Sequence, residues 1–497
     1  MPTRQLPNNP NLDRLRSQAK TLLRKARAGD IEALGMIAEF HPHPPEQIAL
    51  SDAQLVLARQ YGFPSWPRLR EHVETVRHYS RSPHKQPIGT GRTGPDEFLR
   101  LACLNYGEDD NARMDAARRM LAEHPELSSA TIHTAAAVGD VAAAHAMLTV
   151  EPALAKLEGG PFRWEPLLYA AYSRLNSTEP GHSTLEVARL LLDHGADPNA
   201  GYLWEGLPSP FTALTGAFGR GEQNPPPHQY RDQLARLLLD RGADPNDSQT
   251  MYNLGPGCWP IADASHLDIL FEYGLGKGPG GPWRERIGLS MLSPEELVHE
   301  ELMYAAKTNL PERARIVIAH GVDVDRRSTG HPLHGGATPL ELAVAMGNEE
   351  VTRVLEEAGA SPVTDELAYF AGACLRGDEA EARRRLDADP GLLERARKRI
   401  PDLMLCAAES GRPEAMRVLV ALGQDVDDLS CLARTPLHVA AYAGDHAMVD
   451  ALLDLGADPT IADGEYHSTP AGWAEHAGHP ELAEHLRAME AKRREGK

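Results

Sequence analysis

Apolar side chains recur in this chain in short one-sided runs. Residues Arg434–Thr460 read RTPLHVAAYAGDHAMVDALLDLGADPT. Leu437, Ala440 and Ala441 share one face of a first predicted helix, and Val449, Leu452 and Leu453 share one face of a second. This is the i, i+3, i+4 spacing of a helix that buries a single stripe. Thr435-Pro436 predicts the first start, because Thr can cap a helix and Pro is tolerated in its first turn. Gly444-Asp445 turns the chain, with Gly free to take positive φ and Asp able to cap the second helix. Gly456 ends the second helix, and Ala457-Asp458-Pro459 leads into an extended finger.

The pattern repeats. Thr338–Ala360 reads TPLELAVAMGNEEVTRVLEEAGA, while LLLDHGADPN ends at Asn199 and LLLDRGADPN at Asn246. Turn glycines at 347, 377, 411, 444 and 478 are separated by 30, 34, 33 and 34 residues. One helix pair cannot bury both of its faces, but stacked pairs can, so the spacing predicts a quasi-one-dimensional solenoid. A period near 33 with TPLHxAAxxG and LLLxxGADPN resembles the ankyrin repeat. The resemblance implies an all-α, curved and elongated ankyrin-like solenoid that binds other proteins. It also implies that His133 and His438, at the TPLH-type position, are structural and bond between neighbouring units. The expected organisation is degenerate helix pairs at 1–78, a basic Ser/Pro/Gly-rich linker at 79–95 and repeats at 96–246. An irregular non-repeat insert follows at 247–293, where His266–Gly274 has the makings of a lone second helix. Regular repeats occupy 294–489, and 490–497 is a charged tail.

Two units depart from the plain spacing. Pro436 to Gly456 and Pro339 to Gly359 each span 20 residues, whereas Pro166 to Gly195 and Ala213 to Gly242 each span 29. Nine extra residues therefore sit between the helices of these two units, at Ser173–Thr184 and Gly219–Tyr230. Stacking in register places the two insertions side by side. The finger Ala200–Pro210 is also long. Loops on a rigid scaffold are a common place for function, and equally a place where insertions are tolerated.

Charge alters this picture only at one end. The 497 residues carry a net charge of −20, which argues against general binding to nucleic acid or to anionic membranes. Residues 1–95 hold 14 Lys/Arg against 8 Asp/Glu. Arg14, Arg16, Lys20, Arg24, Lys25 and Arg27 concentrate there but spread around more than one helix face, with no aromatic platform among them. No run reaches the roughly 18 apolar residues of a membrane span, and Met1–Asn11 has no apolar signal core. Cys103, Cys258, Cys374, Cys406 and Cys431 lack any CxxC pairing. They are expected to be reduced thiols in a cytosolic protein.

Signatures of chemistry are weak. Gly89–Gly94 and Gly276–Gly281 satisfy GxGxxG, but outside a βαβ setting they read as loops. His41/His43 and His331/His334 fall short of a three- or four-ligand metal set. No GxSxG or HExxH is present, and no cofactor or metal is expected. The first reading is a binding surface without covalent chemistry. Tyr169, Tyr172, Tyr304, Lys307, Val439, Tyr442 and Trp473 take the variable first-helix positions expected to point outward. Trp204 and Tyr252 join the partner-binding candidates. The alternative is an enzyme or small-ligand pocket at about 160–260, with candidates Trp164, Arg174, His182, Glu222, His228, Asp247, Tyr252 and Asn253. Asn246, Gln249 and Trp259 add polar and aromatic groups to the same region. No spacing rule selects among these residues.

Overall fold

The computed structural model describes residues 4, 6–87, 94–107, 109–222, 224–256, 262–288, 291–328, 336–400, 402–429 and 433–495. Cys258, Trp259, His331, His334, Cys431 and most of the 89–94 glycine motif lie outside the described residues. Among the described residues the chain forms 28 α-helices and one small sheet. It divides into two compact units, 1–298 and 299–497.

In the first unit four helices, Leu12–Arg27, Ile31–Phe40, Leu50–Gln60 and Trp66–Tyr79, precede the repeats. Two small cores hold them, one around Leu15, Leu57, Leu69 and Val73, the other around Leu22, Ile37 and Val56. A row of first helices follows: Pro95–Ala102, Ile132–Val138, Pro166–Tyr172, Ala213–Phe218 and Ser248–Leu254, each packed on the next. Behind it runs a row of second helices, Val141–Val150, Thr184–Asp193, Arg231–Asp240 and Ser265–Glu272. The small Ala170, Ala171, Ala213 and Ala217 are fully buried and allow this close stacking.

The segment expected to be a non-repeat insert is therefore largely one more helix pair. Ser265–Glu272 is not a lone second helix: Ser248–Leu254 precedes it, and both stack on the unit before. Asp247 replaces the Thr of the usual start and caps the helix by accepting from Thr250 N–H at 2.8 Å.

The long finger forms a hairpin. β2 (Gly201–Trp204) pairs antiparallel with β3 (Pro210–Thr212), and β1 (Ser80–Arg81) adds in parallel to the outer edge of β2. Residues 80–85 of the expected linker are thus docked, not free. Val76, Leu203, Trp283, Ile287 and Met291 form a core beneath this junction.

In the second unit, the first helices Pro339–Ala345, Glu366–Arg376, Leu403–Glu409, Pro436–Ala443 and Pro470–His476 form one stack. Second helices pair with them, ending in Pro480–Glu495. One core runs from Leu367 to Leu486. His438 joins neighbouring units as expected, its Nε2 3.1 Å from Ser468 O, and His133 does the same 2.7 Å from Leu157 O. His299, 2.9 Å from Arg326 O, is a third instance.

Candidate functional site

The two insertions do lie side by side, and they are bonded to each other. Arg174, fully buried, donates through Nε to Pro226 O at 2.8 Å and through Nη2 to Gly216 O at 2.7 Å. Its Nη1 donates to Ala171 O and Ser173 O. Burial lowers its pKa to about 10, still far above neutrality. His228 accepts from Tyr230 N–H at Nδ1, so its Nε2 carries the proton toward Thr184 Oγ1 at 2.9 Å. Burial, then the nearby Arg174, pushes its pKa down to about 3, which keeps it neutral.

Asp247 also looks inward. Thr212 and Thr215 hydroxyls donate to it, yet burial holds its pKa up at about 6. The cavity beside it has a volume of only about 10 Å³. Asn253 bonds Tyr106 Oη, Gly219 O and Gln249, and Asn246 bonds Lys277 O and Gly276 N–H. The other candidates lie apart: His182 meets Ser177, and exposed Tyr252 donates to exposed Glu222 at 2.8 Å. Of the eight residues of the alternative pocket, Asp247 lines the cavity of about 10 Å³ and Trp164 lines a different one. Arg174, His228, Asp247 and Asn253 spend their hydrogen bonds on protein groups, which is how buried polar groups hold a structure together.

Tyr169 and Tyr172 correct an expectation. Both rings are fully buried instead of facing outward. Tyr169 Oη donates to Gly159 O at 2.8 Å, and Tyr172 Oη donates to Thr212 O at 2.9 Å. The turn 158–164 and the hairpin 201–212 fold over this helix, covering a face that would be open in a plain array. Trp164 lies within the same cluster, stacked on Tyr202 at 5.1 Å and tilted against Tyr172 at 5.1 Å. Trp204 remains half-buried, its ring stacked on His84 at 4.1 Å.

In the second unit Tyr304 and Val439 are likewise buried, and Lys307 is half-buried. Arg313 lies over the Tyr304 ring at 5.4 Å and pairs with buried Glu301. The last two units differ. Half-buried Tyr442 and exposed Tyr466 (68% exposed) set their edges against half-buried Trp473, at 5.7 and 6.2 Å. Trp473 Nε1–H donates to Asp463 at 3.0 Å. Burial would raise the Asp463 pKa, but Trp473 and the N–H groups of Glu465, Tyr466 and Ser468 hold it well below the usual range. Arg434 lies over the indole at 5.9 Å. Tyr466 went unrecognised in the sequence because it sits in a finger, outside the helix positions used as a guide.

The free thiols Cys103, Cys374 and Cys406 are pushed by burial to pKa values of about 12, so none is an activated nucleophile. Among the described residues no three His, Cys, Asp or Glu side chains are grouped to hold a metal ion. No described helix is long and apolar enough to cross a membrane.

Comparison with protein families matches residues 395–493 to a model of three ankyrin repeats and residues 164–201 to a single ankyrin repeat. No curated protein matches the chain. The chain carries ankyrin repeats, a protein-interaction module.

Proposed function

We propose that this ankyrin-repeat chain is a non-catalytic interaction protein that seats a protein or peptide partner on the Tyr442, Tyr466 and Trp473 face. The supporting observation is the aromatic trio itself. Three large amphipathic rings stay partly exposed, and one is fixed by a hydrogen bond to a carboxylate that is already fully committed. Preorganised Trp and Tyr groups of this kind carry much of the binding energy at interfaces, because little side-chain entropy is lost on contact. The face belongs to the segment matched to three ankyrin repeats. Trp204, Tyr252 and Lys307 remain secondary contact candidates. A cytosolic setting suits the free thiols of buried Cys103 and Cys374 and half-buried Cys406.

The test compares capture of partners from the native host by the wild type, Tyr466→Ala and Trp473→Ala. A partner retained by the wild type should bind each folded variant at least tenfold more weakly. Tyr466 is exposed, so its truncation leaves the core intact. Undiminished binding by both variants would remove this face from the account.

A further inference from the structure

A second site stands out in the first unit, at a position where one repeat carries an acid that does not cap its helix. Thr131, Thr212, Thr338, Thr435 and Thr469 occupy the residue that starts the first helix of their units. In the unit at 166–172 that residue is Glu165, and its side chain makes no capping bond to the helix. The carboxylate lines a crevice of about 40 Å³ instead. A water needs roughly 10–15 Å³ by this measure, so the crevice has space for about three water-sized groups.

Four segments build the walls: Tyr79 and Arg81; Glu158 with 163–168; 197–202; and Arg286. Three residues that line this void each carry a buried polar atom with no hydrogen-bond partner among the described residues: Glu165 Oε2, Trp164 Nε1 and Tyr202 Oη. Trp164 and Tyr202 are each only 1% exposed. Buried polar groups are generally satisfied, and three such atoms on the residues lining one void point to a place that receives a ligand.

The charges indicate the kind of ligand. Arg81 is committed to Glu158 at 3.0 Å and to the carbonyls of His78, Ser80 and Arg163. Arg286 reaches Asp197 at 3.5 Å and lies over the rings of Tyr79 and Trp283. Exposed Arg163 stands 3.8 Å from Glu158. Glu165 is the lining acid with no ion-pair partner among them.

We propose that this crevice binds a primary alkylammonium group, with Glu165 as its counter-ion. An ammonium is compact and offers three donors. Glu165 Oε2 and Tyr202 Oη accept from it, and the aromatic walls favour a cation. Trp164 Nε1–H donates to a water, or to a carbonyl that enters beside the ammonium. Neither free amines nor lysine side chains are excluded by this chemistry, so the two sources form separate arms of the test.

Titration calorimetry on the full chain would use n-butylamine in one arm and an acetylated Ala-Lys-Ala amide in the other, with n-butanol as the neutral control. Measurements at pH 8.5 should show an amine-bearing ligand binding at least tenfold more tightly than n-butanol. A tighter peptide identifies the lysine of a partner, and a tighter free amine identifies a small metabolite; either supports the site. Glu165→Thr installs the residue found in five other units and should fold normally while binding at least tenfold more weakly. Burial, Asp197 and Glu158 raise the Glu165 pKa to about 7, against the opposing Lys156 and Arg286. Tyr79, Arg81, Arg163 and Tyr202 line the same crevice. Glu165 is therefore mostly protonated at pH 5.5, and affinity there should be about thirtyfold lower than at pH 8.5. Failure of both amines to bind at pH 8.5, equal binding of n-butanol, or an unaltered Glu165→Thr variant would each overturn the proposal. The Trp473→Ala protein should bind the amine normally, which separates this site from the partner face.

Discussion

Burial shifts Glu165 upward and His228 downward in pKa, and each makes stability depend on pH, in opposite directions. For Glu165 the native state keeps a proton that the unfolded chain has already released. Its contribution is therefore full below pH 4.5 and is lost as pH rises toward about 7. Replacing it by Thr should gain on the wild type across that window, on the order of 1 kcal/mol per pH unit. Urea midpoints at pH 4.5 and 7.5 would show this, and a gap that stays constant would contradict it. His228 is neutral when folded, whereas the unfolded chain takes up a proton below pH 6.5. Its depressed pKa of about 3 makes the wild type lose stability as pH falls from 6.5 toward 3. His228→Gln should flatten that limb of the profile; an unchanged slope would assign it elsewhere. Residue roles were legible where the repeat dictates them, as at His133 and His438. They were illegible at Tyr169 and Tyr172, whose helix positions point outward only until a distant hairpin covers them.

At the scale of elements, the insertions serve as ties between neighbouring units. Arg174 alone satisfies four carbonyls, from Ala171, Ser173, Gly216 and Pro226. Arg174→Met keeps the length of the side chain and leaves those carbonyls without a donor. The expected loss is about 3 kcal/mol or more, since each unsatisfied buried group costs roughly 1–3 kcal/mol. Urea unfolding followed by tryptophan fluorescence measures it, and a loss under about 0.5 kcal/mol would show that water replaces the guanidinium. The insertion lengths and their adjacency could be read from spacing. The helix Ser248–Leu254 could not, because Asp247 stands where Thr is expected and no Pro comes after it. The downstream LFEYGLGKG carried the trace of a second helix. The strand Ser80–Arg81 was invisible for a different reason: two residues have no periodicity, and their pairing depends on where the finger lies.

For the whole molecule, the repeat pattern gave the architecture because each unit satisfies itself through its immediate neighbours. The second unit has its own continuous core from Leu367 to Leu486. Residues 294–497 expressed alone should therefore be helical by circular dichroism and unfold with a sigmoidal thermal transition. A fragment that is random coil would contradict that independence. Function was less legible, because exposure decides it and exposure comes from packing across units. The central account is that a partner lies on the aromatic face of the last two repeats. Hydrogen–deuterium exchange on the full chain, with and without a partner captured through that face, tests this most directly. The account predicts added protection at 436–445 and 463–476. Protection absent there and confined to 158–230 would contradict it.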